Sequence, residues 1–291
     1  MMENIQKQYE VLNWASFFLK EHHCEENAAQ MLLQHYLGVT RAQLFARMQD
    51  PVPLEVMQQF ERAVRQHAET GIPVQHLMGY TEFYGRRFSV NEAVLIPRQE
   101  TEELIYHAIS YLKGIVAHHP SCTIVDVGTG SGIIAITLAL ELPQTTVFAT
   151  DISGAALEMA KKNAEQHGAD ITFLQGNFLE PIANQAIKAD LIVSNPPYIA
   201  WSEAESLSKT VKDYDPALAL FAEDDGLAAY REIIRQLPAV LEKQGKVMFE
   251  IGHQQGQAVK EIIVNAFPES EPDVLQDMNG KDRMVSALVK K

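Results

Sequence analysis

Two stretches of this chain hold residue types that could do chemistry together. The first is Asn195-Pro196-Pro197-Tyr198, which cuts off the apolar run Leu191-Ile192-Val193. Proline has no N–H and cannot continue a sheet ladder, so the run must end there. A residue before proline is held extended, which stiffens both Asn195 and Pro196. Neither proline nitrogen can donate, while the Pro196 carbonyl and the Asn195 side-chain oxygen remain acceptors. Two fixed acceptors suit a target carrying an NH₂ group, and Tyr198 offers a flat face for a planar amide or base. The plainer alternative is a proline-rich turn that only stops a strand.

The second stretch is Gly128, Thr129, Gly130, Ser131 and Gly132, which follows the strand-like run 123–127 and precedes a helical pattern. Glycines let backbone approach a ligand at a helix N-terminus, where free N–H groups point outward. The next strand-like run ends at Asp151, whose carboxylate could accept both hydroxyls of a ribose. A dinucleotide fingerprint needs glycine at the sixth position of G-x-G-x-x-G, and that position is Ile133. The G-x-G-x-G spacing with its distant acid points instead to an adenosine-bearing cofactor.

Elements that could position these residues can be read from periodicity. Residues 1–75 read as helices: Met57, Phe60, Val64 and Ala68 recur at helical spacing, and Gly71 and Pro73 close that helix. Thr40 with Gln43 predicts a capping box. Residues 76–97 change character, with aromatic and β-branched residues around Gly85-Arg86-Arg87, as in a hairpin. A helix is expected over 100–118. Beyond it, strand-like runs at 123–127, 146–150, 171–175, 191–195 and 246–252 alternate with helical stretches, among them 227–245 and 255–267. That alternation predicts an α/β domain with a mainly parallel sheet. A final strand pair, 274–278 and 283–289, would give the sheet an antiparallel end.

Composition narrows the class. Apolar residues make up 46% and charged residues 21% of 291, the balance of a globular protein. The start reads without a charged-then-apolar signal, and the two cysteines, Cys24 and Cys122, are too few for a disulfide framework. A cytoplasmic protein is expected. With 38 acidic and 24 basic residues the net charge is −14, which repels phosphate backbones and weighs against a nucleic-acid substrate. The basic residues Arg41, Arg47, Arg62 and Arg65 are mixed with acids. Glu223-Asp224-Asp225 and the acids at 269 and 271 lack the alternating spacing of a calcium loop, and His22, His23 and Cys24 are adjacent rather than co-facial. No metal is expected.

At this level of detail the chain resembles the S-adenosylmethionine-dependent amino-methyltransferases, through "DVGTGSG", Asp151 and "NPPY". "QHLMGYTEFYG", "LIPRQETEELI", "YDPALALFAEDDGLAAYREI" and "FEIGHQQG" make it similar to the release-factor glutamine methyltransferases, the HemK family, over almost the whole chain. The resemblance implies a seven-stranded, mostly parallel, Rossmann-like sheet ending in an antiparallel hairpin. It implies a small all-helical substrate-docking domain at 1–75, a β-hairpin connector at 76–97 and a methyltransferase domain at 98–291. S-adenosyl-L-methionine would be the cofactor, S-adenosyl-L-homocysteine its product, and peptide chain release factors the protein substrate, methylated at N5 of the Gly-Gly-Gln glutamine.

By the same resemblance, Gly128, Thr129, Gly130, Ser131 and Gly132 face the methionine part of the cofactor, Asp151 the ribose and Phe178 the adenine. Asn195 serves cofactor and substrate together. Asn195, Pro196, Pro197 and Tyr198 hold the substrate amide, with Asn195, Pro196 and Tyr198 in catalysis. Thr101 and Glu102 close over the methionine end. Gln99 stands where relatives commonly have proline, and Phe178 where some have tryptophan. Rival readings are a ribosomal-protein glutamine methyltransferase, a DNA or RNA amino-methyltransferase whose base NH₂ would fit the same corner, and a binding module without chemistry.

Overall fold

The computed structural model describes residues 6–116 and 121–290. By contacts within the chain these residues form two compact units. One runs to Tyr80 and takes in Ser208–Tyr214; the other holds Thr81–Leu207 and the chain from Asp215 onward.

The first unit is helical: α1 (Gln8–Glu21), α2 (Asn27–Leu37), α3 (Arg41–Ala46), α4 (Leu54–Thr70) and α5 (Val74–Met78). Val11, Ala15, Leu19, Leu32, Leu33, Leu44, Phe60 and Val64 form its core. The Thr40 capping box is present: Gln43 N donates to Thr40 Oγ1 at 3.3 Å and Thr40 N to Gln43 Oε1 at 2.9 Å. His76, Leu77 and Met78, read from sequence as the start of the hairpin, are instead the end of α5. Pro73 precedes that helix with φ already at −57°, and Gly79, at φ 77°, ends it.

The hairpin proper is β1 (Tyr80–Phe83) and β2 (Arg86–Ser89). Its Phe83 and Phe88 are buried with α6 (Glu100–Val116) in the core of the second unit. The expected end of α6 at His118 lies outside the described residues.

Strands and helices then alternate: β3 (Thr123–Val127), α7 (Ile133–Glu141), β4 (Thr146–Asp151), α8 (Gly154–His167), β5 (Thr172–Gln175), α9 (Glu180–Asn184) and β6 (Ala189–Ser194). A short parallel pair follows, β7 (Ile199–Ala200) with β8 (Phe221–Ala222); between them lie α10 (Lys209–Tyr214) and α11 (Ala217–Leu220). The chain ends with α12 (Glu223–Gly226), α13 (Ala228–Val240), β9 (Leu241–Glu250), α14 (Gly256–Ala266), β10 (Asp273–Gln276) and β11 (Asp282–Leu288). The seven-stranded sheet has the order β10-β11-β9-β6-β3-β4-β5, with β11 antiparallel to both its neighbours.

Strands buried on both faces read as continuous apolar runs, and the faces sort with period two. Ile124, Leu191, Val193, Met248 and Met284 face one core, with α6 and α7. Val125, Ile192, Val247, Phe249 and Val285 face the other, with α13 and α14. One element differs from its sequence reading. Residues 241–245 were expected to be helical, yet Leu241 is extended (φ −81°, ψ 144°), buried and paired with Ala189. Strand pairing overrides the helix preference of Glu242, Lys243 and Gln244, since a few tenths of a kcal/mol per residue yield to tertiary pairing.

The sheet register aligns the strand ends. Val127 pairs with Thr150 on one side and Ser194 on the other, and Ser194 pairs with Phe249. Chain order reverses between β3 and β6, since β4 and β5 lie beyond β3 on its other side. In such sheets the crevice at the reversal is where ligands bind.

The loop after β6 is shaped by a close backbone approach. A Cβ on Gly226, at φ 81°, would lie 2.2 Å from the Tyr198 carbonyl oxygen and 2.7 Å from Gln255 Nε2. Gly168, at φ 66°, has open space where a Cβ would go. Gly168→Ala is expected to cost about 1 kcal/mol, the left-handed conformation alone. Gly226→Ala should cost at least about 2 kcal/mol more, through displaced backbone at Tyr198. Thermal denaturation of the two variants checks this, and equal losses would contradict it.

Candidate active site

The residues immediately beyond the aligned row are Gly128 after β3, Asn195 after β6, and Asp151 and Glu250, which end β4 and β9. Two contacts fasten this row. Ser194 Oγ donates to the Val127 carbonyl at 2.6 Å, and the Gly128 and Thr129 N–H groups both donate to the Thr150 carbonyl at 2.9 Å.

A cavity opens above the row. Of the residues singled out from sequence, Thr101, Gly128, Thr129, Gly130, Ser131, Asp151, Phe178, Asn195 and Pro197 line it. Gly132, Pro196, Tyr198 and Glu102 do not. Gly132 has φ 84°, and a Cβ there would meet Ile136 Cδ1 at 2.9 Å and Ala160 Cβ at 3.0 Å, so this glycine serves close packing of α7 on α8. Pro196 is buried. Tyr198 is half-buried against the core, its carbonyl accepting from Gln255 Nε2 at 2.9 Å. Glu102 points to the hairpin, accepting from the Tyr84 N–H at 2.7 Å. Gln99 is exposed in the turn before α6.

The glycine loop is held from below. Asp126, fully buried in β3, accepts from Thr129 Oγ1 at 2.6 Å and from Ala135 N at 3.2 Å. One carboxyl thus ties the loop to the first turn of α7. Burial raises its pKa to about 7, against the pull of those two donors. Asp151 accepts from Gly130 N and Ser153 N, each at 2.9 Å, and burial raises its pKa too. The Ile152 N–H also pulls on this carboxylate, and a carboxylate's roughly four lone-pair sites leave room beside these three donors for a ligand hydroxyl.

The Asn195 amide is also held. Its Nδ2 donates to Thr101 Oγ1 at 3.3 Å, and Thr101 Oγ1 donates to Glu250 Oε2 at 2.6 Å. Glu250 is buried, which raises its pKa to about 7, with Thr101, Arg283 and Asn195 pulling the other way. Burial pushes the Tyr198 phenol up to about 12, Glu250 adding to the effect while Arg283 and Arg98 oppose it. Tyr198 is therefore a neutral ring at neutral pH.

Several lining residues escaped the sequence reading. Arg98 lines the cavity and pairs with Asp215 at 2.8 Å across 117 positions of chain. Asn177, Ile152 and Leu218 line it as well. "PRQETE" and "YDPALAL" were both visible as stretches, but nothing local pairs Arg98 with Asp215.

Two of the other polar clusters have structural partners. Asp224 pairs with Arg231. His22 Nδ1 lies 2.8 Å from the Phe18 carbonyl, and the Cys24 thiol donates to the His22 carbonyl. No group of side chains able to hold a metal ion occurs among the described residues, and no helix among them is long and apolar enough to cross a membrane.

The sheet order and the loop-and-acid crevice at its reversal define a methyltransferase-type α/β domain. The likeness to the crystal structure of the hMettl16 catalytic domain, bound to a MAT2A 3'UTR hairpin, agrees in fold: TM-score 0.54 at 19% identity, covering 81% of this chain and 80% of that one. Two family patterns match, "PrmC N-terminal domain" over residues 10–79 and "Methyltransferase small domain" over 110–212. The release factor glutamine methyltransferase of Bacillus subtilis (strain 168) is 46% identical over 283 residues, which are 97% of this chain and 98% of that protein. Its counterpart in Bacillus cereus is 45% identical over 281 residues, 96% of this chain and 98% of that protein. The chain belongs to the release factor glutamine methyltransferase family.

The raised acids set a pH dependence. Asp126 holds its proton up to about 7 when folded, against an ordinary value of 3.8. Between those values the folded state binds more protons than the unfolded one, so stability falls as pH rises across that window. Asp126→Asn removes this contribution. The melting temperature of the variant is expected to fall less than that of the wild type between about pH 5 and pH 7. Parallel curves would contradict it.

Proposed function

We propose that this chain transfers a methyl group from S-adenosyl-L-methionine to the side-chain nitrogen of a glutamine, the Gly-Gly-Gln glutamine of peptide chain release factors. The observation that carries the reading is Asn195. Its nitrogen is engaged inward by Thr101 on the cavity wall, which leaves its oxygen as an acceptor beside the glycine loop.

The cavity suits the cofactor. A Cβ at Gly128 or Gly130, both at positive φ, would project into open space, so the backbone there forms a cradle that a ligand can approach closely. Ile152, half-exposed and apolar beside Asp151, offers a surface for a flat base. Gly128, Thr129, Gly130, Ser131 and Thr101 would hold the methionine part, Asp151 the ribose, and Phe178 and Ile152 the adenine. When bound, S-adenosyl-L-methionine supplies an electrophilic methyl group on a sulfonium.

The chain's own residues then address the weakness of the nucleophile. An amide nitrogen reacts poorly because its lone pair is delocalised into the carbonyl. Asn195 Oδ1 and the Pro196 carbonyl each accept one N–H of the glutamine, returning electron density to its nitrogen. Tyr198 and Pro197 hold the amide plane. Such positioning can supply up to roughly 7 to 11 kcal/mol of the barrier, so no strong general base is required. The proton left on nitrogen departs after transfer.

The relatives' names support a release factor as substrate, and the helical unit is the docking domain in this reading. A cytoplasmic setting goes with such a partner. An adenine or guanine NH₂ would fit the same two acceptors, but the net charge of −14 opposes a polyanion.

Incubation with labelled S-adenosylmethionine and, separately, release factor, ribosomal protein, DNA and RNA should label the release factor alone. Label in nucleic acid and not in protein would overturn the reading. Asn195→Ala is expected to lower kcat at least about 100-fold, while calorimetry finds cofactor affinity little changed. Asp151→Ala should weaken cofactor binding about tenfold or more, in line with the roughly 1.5 to 3 kcal/mol of hydrogen bonds to a charged group. Unchanged affinity would remove Asp151 from the ribose.

A further inference from the structure

The acceptor role of Asn195 depends on which end of its amide faces the crevice, and two buried groups on other elements decide that. Glu250 ends β9, Thr101 lies in the first turn of α6, and Asn195 follows β6. Glu250 and Thr101 are each 1% exposed. A hydroxyl has a single hydrogen, and Thr101 gives it to Glu250 Oε2 over 2.6 Å. What Thr101 Oγ1 then presents to Asn195, 3.3 Å away, is a lone pair. Asn195 must meet it with N–H, and its Oδ1 is turned the other way.

We propose that Glu250, acting on Asn195 both through Thr101 and by its own contact with the Asn195 side chain, is a positioning residue that fixes the polarity of the Asn195 amide. The inference rests on the glutamine-methyltransferase reading and adds to it the group that sets the direction of the acceptor. An ionised carboxylate only accepts, so it imposes one sense on the chain of hydrogen bonds. A group at this position that can also donate admits the reverse sense. In that case the Thr101 hydroxyl turns to Asn195 Oδ1, and the Asn195 NH₂ faces the N–H of the nitrogen to be methylated, donor against donor.

The surroundings of Glu250 keep it usable in this role. Arg283 from β11 and the Asn195 and Thr101 side chains favour its ionised form, while burial and Glu100 from α6 oppose it. Tyr198 and Tyr230 lie within electrostatic reach, and the Tyr230 hydroxyl donates to the Glu250 backbone carbonyl at 2.9 Å, not to the carboxylate. The carboxylate is left to the Thr101 and Asn195 side chains, both of which pull on it.

The test compares wild type, Glu250→Gln, Thr101→Val and the double variant in the full chain. Glu250→Gln keeps size and shape but can donate as well as accept. It is expected to lower kcat on the order of 100-fold, the scale of a misplaced reacting group, with KM for release factor and cofactor affinity within about threefold. Compared at saturating S-adenosylmethionine, because Thr101 also lines the cofactor cavity, the double variant should lose less in kcat than the product of the two single losses, since both residues act on the same amide. The wild-type kcat/KM should rise with pH through about 7, the value at which Glu250 ionises, and that limb should vanish in Glu250→Gln.

A readout without catalysis separates this proposal from the activity it rests on. In ¹⁵N-labelled protein without cofactor, the Asn195 side-chain NH₂ protons should exchange slowly with solvent, and in Glu250→Gln their signals should shift and exchange faster. If the wild type fails to methylate release factor but the NMR result holds, the functional reading fails and the positioning stands. If Asn195 signals and kcat are unmoved by Glu250→Gln, or if kcat falls only together with melting temperature and cofactor affinity, the positioning role is overturned.

Discussion

Everything at the site depends on one register. Val127, Thr150, Ser194 and Phe249 lie side by side at the ends of four parallel strands, so the next residues, or the terminal residues of the strands, emerge at one level. Because a strand's side chains alternate, a slip of one residue would turn Leu191 and Val193 to the wrong core and carry Asn195 away from the glycine loop. Two apolar cores, one on each face, hold that register. The Ser194–Val127 hydrogen bond fixes the β3–β6 pair at the point where chain order reverses. The prolines that follow stop the strand and stiffen its exit, so the precision of the sheet is passed to Asn195 without a flexible joint.

Above that row the chemistry is divided between rigid backbone and buried acids. Glycines supply an approachable surface, and Asp126 and Asp151 pin the loop that carries them from beneath and from the side. Glu250 and Thr101 do the same for Asn195. Each of these acids is buried enough for its pKa to be raised, which is the cost of placing a fixed acceptor where water does not compete.

Much of this was legible in the sequence because it is local. The strand runs of the sheet, the capping box at Thr40, the glycine loop and the Asn-Pro-Pro-Tyr corner each follow from neighbours in the chain. Residues 241–245 misled for the opposite reason: Glu242, Lys243 and Gln244 are good helix formers, and only pairing of Leu241 with Ala189 reveals a strand. The Arg98–Asp215 pair, the Glu250–Thr101–Asn195 arm and the membership of Ser208–Tyr214 in the helical unit join positions far apart in sequence. No local pattern encodes such partners. Gly132 and Glu102 sit in readable motifs, yet the structure gives them packing and hairpin anchoring, since a motif shows that a loop forms and not which of its atoms face the ligand.

The central claim is that two rigid acceptors at the end of β6 receive the target amide. A crystal structure of this chain with S-adenosyl-L-homocysteine and a peptide containing the Gly-Gly-Gln glutamine tests it most directly. The glutamine side-chain nitrogen is expected within hydrogen-bond distance of both Asn195 Oδ1 and the Pro196 carbonyl oxygen, with the peptide amide plane against Tyr198. A glutamine seated in the cavity with its nitrogen out of reach of both oxygens would contradict the account.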